Sequence, residues 1–200
     1  MTPEYFNFAA DVMEGWARKK PDALALWCVD EAGAREEKIS FRELSAHFRR
    51  AANFLLTCGI HPSDRVLVMM PRIPEWWVAM LGLVRLGAVP IPCTTLLTAK
   101  DIEYRAETAQ AKALITDLAG AAKVQADTGI KNLILVGGEK PGWISFDQGM
   151  RDAPGEFKGE PTRSDEPGII YFTSATTGMP KMVLHTQASY GMGHRITGEL

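Results

Sequence analysis

Between residues 66 and 136, strand-length apolar runs alternate with helix-length amphipathic segments, and this restricts the chain to an α/β layer fold. Val66 to Met70 is a β-rich run. Pro74 then opens a segment in which Trp77, Met80, Leu81 and Val84 share one helical face. Gly87 ends that helix, and Ala88 to Ile91 returns as a strand. Thr98 and Asp101 can cap the next helix, with Ile102, Ala106 and Ala109 facing inward. Ala113 to Thr116 predicts a strand, Asp117 to Ala126 a helix, and Leu133 to Val136 a strand closed by the Gly137-Gly138 turn.

The flanks fit the same scheme. Phe6, Ala9, Met13 and Trp16 recur at helical spacing, so residues 6–18 predict an amphipathic helix that Pro21 stops. The basic run Arg18-Lys19-Lys20 suits the negative end of that helix and reads as a solvated face. Ala23 to Val29 and Glu36 to Ile39 predict a hairpin across a polar turn at residues 31–33. Ser40 and Glu43 form a capping-box pattern before a face made by Leu44, Phe48, Ala51 and Leu55, with Gly59 as the left-handed stop. His47 within that helix reads as structural, and the tandem Trp76-Trp77 as packing anchors. Residues 150–167, rich in Pro, Gly and charge, predict an exposed connection.

Composition narrows the function classes. The chain is 46% hydrophobic and 23% charged, as ordinary folded domains are, and its net charge of -2 gives nucleic acid no electrostatic footing. Three widely spaced cysteines, Cys28, Cys58 and Cys93, support neither a disulfide framework nor a zinc site, and the expected location is the reducing cytoplasm. The N-terminus shows no secretory pattern, and the longest apolar run, Trp76 to Val84, is too short to span a bilayer.

Chemistry concentrates in one stretch. The apolar run Gly168 to Phe172 opens into Thr173-Ser174-Ala175-Thr176-Thr177-Gly178-Met179-Pro180-Lys181, and a second apolar run, Met182 to Leu184, follows. Backbone N–H groups, four hydroxyls and a lysine can surround polyphosphate oxygens, and Pro180 stiffens the loop. The spacing is not a Walker A loop, because Pro180 separates Gly178 from Lys181 and a strand-like run follows; nor is G-x-G-x-x-G present. From spacing alone, a threonine-rich surface turn is the competing reading.

Thr-Ser-x-Thr-Thr-Gly-x-Pro-Lys resembles the phosphate-binding signature of the AMP-forming adenylating enzymes. Tyr5-Phe6-Asn7-Phe8-Ala9, Phe41-Arg42-Glu43-Leu44, Gly59 through Asp64-Arg65-Val66, Pro71-Arg72-Ile73-Pro74-Glu75-Trp76-Trp77, Asp101-Ile102-Glu103-Tyr104-Arg105 and Lys181-Met182-Val183-Leu184-His185 resemble the medium-chain and aryl acyl-CoA synthetase branch. The resemblance runs along essentially the whole chain. It implies the N-terminal part of a large AMP-binding domain, with residues 168–200 beginning the ATP-binding strand–loop–strand–helix segment and the C-terminal domain absent. It implies ATP with Mg2+, a medium-chain fatty or aromatic carboxylate, and coenzyme A as co-substrate. The carboxylate is adenylated with release of pyrophosphate, and the acyl group then passes to the CoA thiol. Residues Thr173 to Lys181 would grip the β- and γ-phosphates without supplying a nucleophile. His185 carries no expected proton-transfer role, and the loop Cys93 to Lys100 is expected near the CoA path. The family's later motifs lie outside these 200 residues, so this chain alone is expected to be inactive. The alternative is a non-catalytic nucleotide-binding or interaction module. A peptide-synthetase adenylation domain is disfavoured by the Trp-Trp segment and the Phe-Asn-Phe-Ala start. One departure stands out: Ala175 occupies a position where the family usually has glycine, and at positive φ its methyl would cost about 1 kcal/mol.

Overall fold

The structure is a computed structural model that describes residues 2–30, 32–34, 36–125, 128–174 and 178–198. Its centre is a parallel five-stranded sheet in the order β4-β3-β5-β6-β7. The strands are β3 (Arg65–Met69), β4 (Val89–Cys93), β5 (Ala113–Thr116), β6 (Asn132–Leu135) and β7 (Ile144–Ser145). Val66 and Val68 of β3 enter one core with Ala113, Ile115 and Ile134, while Leu67 and Met69 enter a second core with Leu114 and Ile91. A strand whose alternate residues both meet apolar partners must be covered on both faces, which is why these runs read as continuously apolar.

Helices α2 (Phe41–Thr57) and α3 (Pro74–Leu86) cover the first face, and α4 (Ala99–Ala109) covers the second through Ile102, Ala106 and Ala109. The expected Ser40–Glu43 capping box is made, and the expected cap at Thr98 and Asp101 proves to be a capping box as well. Gly87 stops α3 at φ 82°, and Gly59 turns the chain after α2 at φ 74°, conformations that glycine adopts without a Cβ penalty. The expected first hairpin is present as β1 (Leu24–Val29) paired antiparallel with β2 (Glu36–Ser40). Arg18, Lys19 and Lys20 are exposed, and His47 is half-buried.

Four details differ from the sequence expectations. The N-terminal helix begins as a π-helical turn, Phe8–Met13, capped by Asn7, which accepts from the Ala10 amide, and continues as α1 (Glu14–Lys19). Phe6 precedes the helix but is buried. Helix α5 spans only Leu118–Ala121: Asp117 accepts from the Gly120 amide, and glycine in so short a helix gives little reason to extend it. A further helix, α6 (Phe146–Asp152), follows β7 and buries Phe146 against Phe54, with ring centroids 5.6 Å apart. The segment expected to be an exposed connection carries buried Phe157, Thr162 and Ser164, because it packs against the start of the chain.

The chain ends in an antiparallel hairpin, β8 (Pro167–Thr173) and β9 (Lys181–Thr186), followed by α7 (Gln187–Gly198). Ile169 of β8 joins the first core and Ile170 the second, so the hairpin is rooted in both.

Candidate functional site

The loop between β8 and β9 is held at its neck by Thr173 paired with Lys181, where the Thr173 hydroxyl donates to the Lys181 carbonyl at 3.5 Å. Thr173, Ser174, Gly178, Met179 and Lys181 are exposed, and Pro180 is half-buried. Gly178 adopts φ 107°, which strains any residue with a Cβ, so glycine is required at that turn. Among the described residues Lys181 makes no ion pair, leaving its ammonium available to an anion. Ala175, Thr176 and Thr177 lie outside the described residues, and with them the question that Ala175 raised.

A contact not foreseen from sequence fixes the loop's exit. The Tyr104 hydroxyl on α4 donates to the Pro180 carbonyl at 3.0 Å, and its ring meets Phe172 of β8 edge-on at 6.2 Å. The neighbouring Arg105 guanidinium lies 5.3 Å from the Phe172 ring centre. Tyr104 falls off the helical stripe made by Ile102, Ala106 and Ala109, so periodicity reads it as solvent-facing. The one signal available was its place in the Asp101-to-Arg105 stretch. The Thr98 hydroxyl and amide hold the Asp101 carboxyl below its usual range and so anchor the first turn of α4.

Other features lie away from the loop. An apolar cavity of about 260 Å³ is lined by Phe8, Trp76, Trp77, Met80, Ile169 and Tyr190. Ile169 is four residues before Thr173, about 13 Å along the strand, so the cavity lies at the hairpin's root rather than its tip. Trp76 is buried as expected, whereas Trp77 is 39% exposed and serves as cavity wall. Burial first, then Tyr171, pushes the Tyr190 phenol well above its ordinary pKa and keeps it neutral. His185 packs edge-on against Tyr171 at 5.9 Å, consistent with a structural residue. Leu96 in the Cys93-to-Lys100 loop is 84% exposed, and Lys123 donates to the Thr95 carbonyl beside it.

The donors at the loop are hydroxyls, amides and an ammonium, which suit anionic oxygen. Among the described residues no group of three or more His, Cys, Asp or Glu is gathered to hold a metal ion. The stretch Thr173 to Lys181 has no carboxylate of its own to offer a magnesium ion, which commonly takes one or two carboxylates together with substrate phosphates. No helix is long and apolar enough to cross a membrane among the described residues.

A family profile described as AMP-binding enzyme matches residues 13–195. The chain belongs to the AMP-binding enzyme family. Human acyl-coenzyme A synthetase ACSM5, mitochondrial, is 43% identical over 209 aligned positions that cover 99% of this chain and 36% of the relative. Mouse acyl-coenzyme A synthetase ACSM3, mitochondrial, is 41% identical, covering 98% of this chain and 36% of the relative. An acyl-CoA synthetase of Brucella canis superposes with a TM-score of 0.85 at 25% identity, over 93% of this chain and 34% of the other. An anthranilate CoA ligase, AuaEII, solved with anthranoyl-AMP, has the same fold at a TM-score of 0.88 and 22% identity, over 98% of this chain and 38% of the other. The chain thus spans about a third of the length of these relatives.

Proposed function

We propose that this AMP-binding chain is the N-terminal segment of an acyl-CoA synthetase acting on a medium-chain fatty or aromatic acid, and that its β8–β9 loop grips the ATP pyrophosphate. The observation that carries the reading is the loop itself. A paired hairpin neck, a glycine turn and an exposed lysine occur together in a chain whose relatives are named acyl-coenzyme A synthetases.

In the first half-reaction a carboxylate oxygen bonds to the α-phosphorus of ATP while the bond to the β-phosphate oxygen breaks. Negative charge then builds on the departing pyrophosphate. Ser174 can donate to its oxygens, Thr173 can do so by turning its hydroxyl away from the Lys181 carbonyl, and Lys181 can offset its charge, so the loop acts by position and electrostatics and supplies no nucleophile. In the second half-reaction the CoA thiolate attacks the acyl carbon and AMP leaves. Residues beyond this chain are proposed to complete both steps, so the 200-residue chain alone should not catalyse either. Three free cysteines, Cys28, Cys58 and Cys93, suit a reducing compartment: the cytoplasm by our reading, the mitochondrion by the relatives' names.

The test is pyrophosphate release from a protein that continues this chain over the length of its relatives, screened with straight-chain and aromatic carboxylic acids. Release that needs both acid and ATP, and that yields acyl-CoA when CoA is added, is expected. Release that is independent of acid overturns the reading. Carboxylate-dependent ATP–pyrophosphate exchange from the 200-residue chain would refute its proposed inactivity.

A further inference from the structure

We infer that Tyr104 is a positioning residue for the phosphate loop, acting through the Pro180 carbonyl; the inference rests on the pyrophosphate-grip reading above. The loop leaves β8 at Thr173 and re-enters β9 at Lys181, and those two residues pair at the neck. Pairing fixes the neck but not the direction in which the segment before Lys181 approaches it. That direction is set by Pro180, whose carbonyl receives the Tyr104 hydroxyl at 3.0 Å.

The tether has a firm base. Tyr104 stands on α4, whose first turn is locked by the reciprocal Thr98–Asp101 box and whose inner face is buried through Ile102, Ala106 and Ala109. Its ring rests edge-on against Phe172, one residue before the neck, and Arg105 covers the same ring. One helix therefore touches both arms of the hairpin: the β8 arm by aromatic packing and the β9 arm by a hydrogen bond. Proline suits the accepting position, since its fixed φ leaves ψ as the one soft backbone angle there, and the hydrogen bond restrains that angle. The consequence is that Lys181 starts from a fixed peptide plane, so an anion can meet its ammonium without the backbone first having to be ordered.

The test compares wild type with Tyr104→Phe, which keeps the ring on Phe172 and removes only the hydroxyl. ATP and inorganic pyrophosphate are titrated by calorimetry into the protein that continues this chain over the length of its relatives, and amide hydrogen exchange is followed at Met179 and Lys181. Tyr104→Phe should bind both probes about fivefold more weakly, the ratio that one hydrogen bond's net contribution gives. It should also exchange faster at those two amides, with the melting temperature lowered by only a few degrees because the ring packing is kept. Tyr104→Ala, which loses the packing too, should weaken binding further and lower the melting temperature. Equal binding and equal exchange in Tyr104→Phe, with a wild type that does bind, overturns the tether alone. A wild type that binds neither probe removes the phosphate grip, and the positioning role falls with it whatever the exchange shows.

Discussion

Lys181 is the only charged residue from Thr173 to Lys181, so the electrostatics of the loop rest on one ammonium. Lys181→Met should lower ATP affinity about tenfold, toward the low end for a charged donor because the site is exposed. The melting temperature should hold, since the side chain is exposed and makes no ion pair among the described residues. Calorimetric titration with ATP decides, and an unchanged affinity would remove Lys181 from the grip. The thiols give a second prediction. Burial pushes Cys58 from 9.0 up to about 11 and Cys93 up to about 12, while Cys28, on the thin β1–β2 hairpin, is raised by burial and then by Glu37 and Glu75. At pH 8 the reactive thiolate is then about one part in a thousand for Cys58 and one in ten thousand for Cys93. A thiol reagent should label Cys28 first and the other two only after urea unfolds the chain; equal native rates would contradict this. The folded state keeps protons that the unfolded chain loses above about 9, so this contribution is intact below pH 9 and is lost as pH climbs toward 11 and 12.

At the scale of elements, the contact between α2 and α3 is set by a glycine. A Cβ built on Gly82 would lie 2.7 Å from the Ala51 Cβ and 3.3 Å from the Phe48 carbonyl oxygen, so the two helices would have to separate. Gly82→Ala should destabilise the chain by about 1–3 kcal/mol despite alanine's better helix propensity, because overpacking outweighs propensity at a close approach. Urea denaturation measures it, and a stabilised variant would show that the helices yield without cost. Elements with their own punctuation were legible in the sequence: α2 and α4 carry capping boxes, α3 runs from Pro74 to Gly87, and β5 is an apolar run between polar neighbours. Helix α6 was not legible, because its buried anchor is the single Phe146 and β7 before it has only two residues. The π-helical turn was hidden because Phe6, Ala9 and Met13 satisfy an α-helical period as well. Within the site, hydroxyls, glycine and lysine announced the loop. The Tyr104 tether joins residues 76 apart and leaves no periodic trace.

For the whole molecule, the deciding connection is between the start of the chain and the approach to β8. The Phe6 amide donates to the Thr162 carbonyl at 3.0 Å, the Ser164 amide to the Glu4 carbonyl at 3.0 Å, and the Ser164 hydroxyl to the Pro3 carbonyl at 2.6 Å. Buried Asn7 ties this strap to α3: its side-chain Nδ2 donates to the Val84 carbonyl at 2.7 Å and to the Thr162 hydroxyl at 3.3 Å, and that hydroxyl donates onward to the Phe6 carbonyl at 2.7 Å. The same segment then holds α7, through the Ala188 amide on the Ser164 carbonyl and the Gln187 amide on the Glu166 carbonyl. The strap therefore joins the α2–α3 layer to the hairpin that bears the β8–β9 loop. It also explains why a stretch with loop composition is buried at Thr162 and Ser164. Asn7→Ala leaves the Val84 carbonyl without this donor and the Thr162 hydroxyl without a donor from Asn7, and it should cost about 2 kcal/mol. Thr162→Val keeps the shape but leaves the Phe6 carbonyl without the hydroxyl donor, at about 1–2 kcal/mol. Because the Thr162 hydroxyl links Asn7 to Phe6, the double variant should lose less than the sum, with a coupling of about 0.5–1.5 kcal/mol. Urea unfolding of wild type, the two single variants and the double variant gives the cycle. If the strap binds both parts into one cooperative unit, tryptophan fluorescence and far-ultraviolet dichroism should report one midpoint in each protein. Additive single effects, or two midpoints already in wild type, would show that the strap lies on the fold without holding it together.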